Sequence, residues 1–176
     1  MELGLVHVYC GYGKGKTTSA IGQGIRSTGR GFKVIMIQFL KGGPSGELKT
    51  LAKLEPDFKV FRFEKERGFY KNLTFTELEE LKMEIENAMK FAKKIFDTKE
   101  CDVLILDEIL GVIENNIFSE ENLITFIKCK PHNMELILTG RKLPDGLNEI
   151  ADYISEIKAI KHPYEKGILA REGIEY

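Results

Sequence analysis

The stretch Cys10-Gly11-Tyr12-Gly13-Lys14-Gly15-Lys16-Thr17-Thr18 decides how the rest of the chain is read. It matches G-x-x-x-x-G-K-[ST] from Gly15 onward, with Cys10 standing where the first glycine of that pattern would be. A polyphosphate has to be wrapped by several backbone N–H groups, and glycines let a chain come that close and turn that tightly. A helix that starts at the end of such a loop aims its free N–H groups and its dipole at the anion. In this pattern Gly11, Tyr12, Gly13, Lys14, Gly15 and Thr18 form the cradle. Lys16 adds a point charge on the phosphates, and the Thr17 hydroxyl is placed to ligate Mg²⁺. Lys14 is a second cation within the loop and suits a heavily charged phosphate chain.

The flanks agree with that reading. Leu3 to Tyr9 is a short apolar run of strand character. Thr17 to Thr28 is helix-tolerant and is stopped by Gly29-Arg30-Gly31. Lys33 to Phe39 reads as a second strand, 41–46 as a loop, Gly46 to Leu54 as a short helix and Phe58 to Phe63 as a third strand. Thr76 with Glu79 predicts a capping box for a long helix ending near Asp97. Its apolar stripe runs through Leu78, Leu81, Ile85, Ala88, Met89, Ala92, Ile95 and Phe96. Asp102 to Leu106 and Glu135 to Thr139 read as buried strands, Ser119 to Lys128 and Asp145 to Asp152 as helices, and Tyr153 to Ala159 as a last strand. Continuous apolar strands separated by helices imply parallel strands covered on both faces. The expected fold is therefore α/β: a single P-loop NTPase-like, RecA-like domain over residues 1–176, with a mostly parallel sheet and helices on both faces.

Leu104-Ile105-Leu106-Asp107-Glu108 is the expected second half of such a site, an apolar strand ending in two carboxylates that can hold Mg²⁺ directly or through water. These motifs alone stop at an enzyme using ATP or GTP. They leave open whether the γ-phosphate is transferred, hydrolysed or untouched, so a P-loop ATPase or small-molecule kinase is one reading.

Composition narrows the classes further. At 176 residues, 43% hydrophobic and 30% charged, the chain has the balance of a globular protein with a core. Lys and Arg number 26 against 27 for Asp and Glu, and this near-neutrality speaks against a nucleic-acid partner. No apolar run reaches the roughly 18 to 20 residues of a membrane span, and the first residues lack a secretion-signal layout. Cys10, Cys101 and Cys129 are odd in number and widely spaced, which fits reduced thiols in the cytoplasm. His7 reads as a packed strand residue, His132 as part of a turn, and His162, before Pro163, as a structural residue of the tail.

Further stretches run in order along the chain: Thr17-Thr18-Ser19-Ala20-Ile21-Gly22, Arg26, Gln38-Phe39-Leu40-Lys41-Gly42, Leu106-Asp107-Glu108 and Thr139-Gly140-Arg141. The last are Ala151-Asp152-Tyr153 and the terminal Lys161-His162-Pro163-Tyr164 through Gly173-Ile174-Glu175-Tyr176. This series resembles the ATP:corrinoid adenosyltransferases of the CobA/CobO/BtuR type over essentially the whole chain. The resemblance implies that Co(I) of a corrinoid attacks C5′ of ATP and expels triphosphate, in adenosylcobalamin synthesis or salvage. It also implies Mg²⁺ or Mn²⁺, a reductase or other electron donor, a cytoplasmic location and a homodimer. On the matched positions Lys16, Thr17 and Glu108 would be catalytic, and Thr17, Glu108 and Asp107 would hold the metal. Arg26, Gln38, Lys41 and Arg141 would be further nucleotide residues. Phe69 matches a family phenylalanine that helps remove the lower cobalt ligand. The chain has no tryptophan, and Lys71 falls where relatives carry one, so Tyr70 is the expected substitute. Tyr12 stands where many relatives carry Asn.

Overall fold

The structure, a computed structural model, describes residues 1–67 and 72–176. Six strands form one sheet: β1 Val6–Cys10, β2 Val34–Gln38, β3 Phe58–Arg62, β4 Val103–Asp107, β5 Glu135–Thr139 and β6 Tyr153–Glu156. All pairings are parallel and the order is β3-β2-β4-β5-β1-β6. The helices are α1 Lys16–Thr28, α2 Gly46–Leu51, α3 Phe75–Thr98, α4 Ile109–Glu114 and α5 Glu120–Lys128.

The period-2 alternation of strand side chains sorts the core into two layers. Ile35, Ile37, Leu104, Leu106, Leu136 and Leu138 face one way, onto α3, α4 and α5. Val34, Met36, Val103, Ile105 and Ile137 face the other way, onto Ala20 of α1 and Leu51 of α2. β2 and β4 are buried at every position, which is why they read as unbroken apolar runs. Each fully buried Ile, Leu or Met contributes about 1.5 to 3 kcal/mol relative to exposure.

α1 carries the chain from β1 past β5 and β4 to β2, and its 13 residues give about 20 Å for that crossing. Because every strand runs the same way, all the carboxyl ends open on one edge of the sheet, where α/β proteins place their ligands. Cys10, Gln38, Asp107 and Thr139 end their strands there, with Gln38 opposite Asp107 and Tyr9 opposite Thr139 in register. β5 lies between β1 and β4, so Thr139 stands between the glycine loop and the strand-end carboxylates.

Several local expectations shift. The capping box on α3 uses Thr74 and Glu77 rather than Thr76 and Glu79. Both pairs fit the pattern, and Leu73 packing on the core favours the earlier start. Asp145 to Leu147 makes only a single 3₁₀ turn, and β6 stops at Glu156. α4 is an addition: Ile109, Leu110, Gly111 and Val112 are all buried, so no one-sided stripe announces it. Among the described residues no helix is long and apolar enough to cross a membrane. The expected corrinoid pair, Phe69 and Tyr70, lies outside the described residues.

Candidate active site

At the carboxyl end of β1 the chain turns through Gly11 to Gly15 and enters α1 at Lys16. The first loop glycines answer a packing need as well as a ligand. A Cβ on Gly11 would stand 2.4 Å from the Ile157 carbonyl oxygen, and one on Gly13 2.8 Å from the same atom. Gly13 N donates to Ile157 O at 2.7 Å and Gly11 N to Arg141 O at 2.7 Å, so the segments after β5 and β6 clamp the loop. The first turn of α1, from Lys16, supplies N–H groups that no intrahelical carbonyl can satisfy. Lys16 bends back and donates from Nζ to Gly13 O at 2.8 Å. Its pKa is lowered, first by burial and next by the Arg141 charge, against the pull of Glu108 and Asp107.

Asp107, with no exposed surface, is the centre of the site. Its Oδ1 accepts from Thr17 Oγ1 at 2.9 Å and from Thr139 Oγ1 at 2.7 Å. Its Oδ2 accepts from Lys41 Nζ at 2.7 Å and from Gln38 Nε2 at 3.2 Å. Lys41 Nζ also donates to Thr17 Oγ1 at 3.2 Å. A buried carboxylate is tolerated only when its lone pairs and its charge are met, and this one is met on both counts. Thr139 Oγ1 in turn accepts the Glu108 N–H at 2.8 Å. That bond fixes the turn where Glu108 adopts a left-handed backbone, φ 65°, before α4. The Glu108 carboxyl is pushed upward in pKa, first by burial and then by neighbouring Asp107. Lys41, Lys16 and Arg141 oppose the shift.

A second set of residues holds the first in place, and sequence reading missed it. Arg62 Nε donates to Gln38 Oε1 at 2.8 Å, and Gln38 Nε2 also reaches Glu47 Oε1 at 3.3 Å. Burial raises the Glu47 carboxyl, but hydrogen bonds from Ser45, its own backbone and Gln38 outweigh that and hold it below its usual range. Leu40, in a left-handed conformation at φ 54°, donates its N–H to Glu64 Oε1 at 2.8 Å. That bond fixes the turn which carries Lys41 inward. Burial pushes Glu64 up to about 7. Arg62 and Glu64 carry no motif, and their only sequence signal is a polar residue at or just beyond the carboxyl end of β3; Glu47 lies in the first turn of α2, and Thr139 in the Thr139-Gly140-Arg141 stretch.

Lys16, Thr17, Asp107, Gln38 and Lys41 thus meet at one place, and the charges of Glu108 and Arg141 face it. Gln38 is buried with its amide engaged by Asp107, Glu47 and Arg62, so it acts as scaffold. Tyr12 and Thr18 are exposed at the loop and in the first turn of α1. Lys14 borders a cavity of about 370 Å³ shared with Lys158, Lys161, His162, Arg171 and Glu175 of the tail. Arg26 is not brought in. It is exposed in the last turn of α1, ten residues beyond Lys16 and so about 15 Å along the helix. His7 contacts Glu135 and lies 4.6 Å from the Tyr153 ring, while His162 Nδ1 accepts from Tyr164 N at 3.2 Å. Both are structural positions.

Comparison with known proteins gives two sets of findings. The profile described as ATP:corrinoid adenosyltransferase BtuR/CobO/CobP matches residues 2–176. The chain is 31% identical to the corrinoid adenosyltransferase of Escherichia coli K12 over 99% of its own length and 87% of that protein. It is 30% identical to corrinoid adenosyltransferase CobA of Salmonella typhimurium, with the same coverages. Among solved structures, RadB recombinase superposes with a TM-score of 0.55 at 18% identity, covering 92% of this chain and 78% of that one. A KaiC-like protein of Pyrococcus horikoshii gives 0.53 at 18%, covering 89% and 73%. Those two likenesses establish the fold alone, a RecA-like arrangement of the parallel sheet and its helices.

Proposed function

The chain belongs to the ATP:corrinoid adenosyltransferase family, and from that premise we propose which of its residues carry the reaction. The protein transfers the 5′-deoxyadenosyl group of ATP to the cobalt of a corrinoid in the synthesis or salvage of adenosylcobalamin. Cleavage at the γ-phosphate by an ATPase or kinase, the reading that motifs alone leave open, is disfavoured by these relatives. We read residues 1–176 as one domain for this task.

In the reaction the Co(I) electron pair forms a bond to C5′, the C5′–O bond breaks, and its electron pair leaves with the triphosphate. The nucleophile is the substrate itself, so the chain has to position two reactants and stabilise a departing polyanion. Lys16, Lys14, Arg141 and the amides from Lys14 to Thr18 take the phosphates, while the Gly11 and Gly13 amides hold the loop to the segments after β5 and β6. Lys16 exchanges its bond to the Gly13 carbonyl for a phosphate oxygen, and Lys41 adds charge from the β2 side. The observation that carries this reading is the buried Asp107 joined to the Thr17 hydroxyl at the start of α1, with the Lys41 ammonium on the pair and the Lys16 ammonium held at the loop by the Gly13 carbonyl.

A divalent cation fits the residues present. Thr17 Oγ1 and Asp107 Oδ2 already share one positive group, the Lys41 ammonium, which stands in for such an ion. Thr17, Asp107 and Glu108 would hold Mg²⁺ or Mn²⁺. Among the described residues no group of three or more His, Cys, Asp or Glu gathers. Two carboxylates and a hydroxyl suit an ion that keeps waters and binds mainly through phosphates. When bound, the metal neutralises charge on the triphosphate.

The corrinoid side rests on Phe69 and Tyr70 by sequence position, with a separate reductase or other electron donor supplying Co(I). A homodimer belongs to the same reading. β6 is an edge strand exposed at every position, and Ile160, Tyr164, Leu169 and Ile174 beyond it are exposed apolar residues that a second copy would cover. The three free cysteines, two of them buried, suit the cytoplasm.

Thr17→Ala tests the site. The Mg²⁺ concentration for half-maximal adenosylation is expected to rise at least about tenfold, the scale of one lost ligand. An unchanged metal requirement removes Thr17 from the site.

A further inference from the structure

Asp107 already has a cation beside it, and that cation belongs to the chain. Lys41 Nζ lies 2.7 Å from Asp107 Oδ2 and 3.2 Å from Thr17 Oγ1. A divalent ion held by Thr17 and the strand-end carboxylates has those same two neighbours. Two positive charges cannot share one position at such range without strong repulsion. We propose that Lys41 is a tethered counter-ion, occupying the cation position while nucleotide is absent and yielding it to the divalent metal that enters with ATP. This rests on the reading of Thr17 and Asp107 as metal-binding residues.

Three features of the fold support the exchange. Asp107 is fully buried, and Thr17, Thr139 and Gln38 satisfy its lone pairs without bringing charge. Leaving it without a cation would be costly. The Lys41 side chain, in contrast, is 28% exposed, so its ammonium can swing outward on a flexible stem without opening the core. The backbone that leads to it is held separately: Phe39 N donates to Asp107 O at 2.9 Å and Leu40 N to Glu64 Oε1 at 2.8 Å. Only the side chain has to move. The ammonium released this way lies beside the arriving phosphates, where its charge is used again. The device gives a reason for Lys at this position: it makes metal binding depend on nucleotide.

The test is Mn²⁺ binding by electron paramagnetic resonance on the full chain, with and without ATP and without corrinoid. In the nucleotide-free state Lys41→Met is expected to bind Mn²⁺ at least about tenfold more tightly than the parent, because a competing like charge is gone. Lys41→Arg, which keeps the charge, should bind as weakly as the parent. Adding Asp107→Asn to Lys41→Met should remove the gain. If Lys41→Met fails to fold, as judged by circular dichroism, Lys41→Gln carries the same expectation. Equal or weaker Mn²⁺ affinity without Lys41 overturns the counter-ion role while leaving the metal site in place. Should Asp107→Asn leave Mn²⁺ affinity of the parent's ATP complex unchanged, the metal site itself is misassigned and the counter-ion role falls with it.

Discussion

Thr139 and Asp107 are joined by a 2.7 Å hydrogen bond between two fully buried side chains at the ends of adjacent strands. Thr139 is therefore a positioning residue: it fixes the orientation of the Asp107 carboxylate and, by accepting the Glu108 N–H, the turn that follows.

Thr139→Val keeps the shape and removes the hydroxyl. It leaves the Glu108 N–H and one Asp107 lone pair without their partner, at about 1 to 3 kcal/mol of stability. Urea unfolding measures that loss, and kcat should fall more than KM rises. Thr139→Ser should recover most of both. A valine variant with parental stability and turnover would show that Thr139 only fills space.

Lys16→Ala should weaken ATP binding and reduce turnover by about 10² to 10³, as expected for losing a group aimed at developing charge. Isothermal titration with ATP and a corrinoid assay measure the two effects separately. Near-parental turnover would place the phosphates elsewhere than this loop.

Much of this site is legible in the sequence because some residue types have few other uses in such places. The glycine loop with Lys16-Thr17 and the strand ending in Asp107-Glu108 both fall at the carboxyl ends of parallel strands, as read. What hides is the support. Gln38 reads as a nucleotide contact, yet its amide is spent on Asp107, Glu47 and Arg62. Those partners come from β3, β4 and α2, brought together only by strand order, and strand order leaves no mark on local pattern. α4 is hidden because a short helix buried all round has no amphipathic period. Thr74 and Thr76 compete on equal local terms, and tertiary packing next to Leu73 decides between them.

Glu64 ties pH to the turn that carries Lys41. It is held up to about 7 by burial, aided by the Glu84 charge from α3 and opposed by the Leu40 N–H, Arg67 and Arg62. Its ordinary value is 4.5, so the folded state binds the proton more tightly than the unfolded one. The stabilisation this gives is complete below the ordinary value and is lost as pH rises through about 7. Glu64→Gln can still accept from Leu40 N but does not titrate. Its melting temperature relative to the parent should therefore climb between about pH 5 and about pH 8. A constant difference across that range would mean that Glu64 does not titrate there.

Phe69→Ala should leave ATP affinity within about twofold, and slow reaction chiefly with corrinoids that retain a lower cobalt ligand, the selective effect of losing an apolar wedge. Comparing rates with a corrinoid lacking that ligand checks this. Equal slowing with both would remove Phe69 from the ligand-displacement step.

Which bond of ATP breaks separates adenosyl transfer from phosphoryl chemistry, and phosphate-product analysis reads it directly. The protein is incubated with γ-labelled ATP, Mg²⁺ and a chemically reduced corrinoid, and the products are separated. All label should appear as inorganic triphosphate, in step with one cobalt–carbon bond formed per ATP consumed. Label in orthophosphate or on an acceptor, with ADP produced and no alkylated corrinoid, would contradict adenosyl transfer.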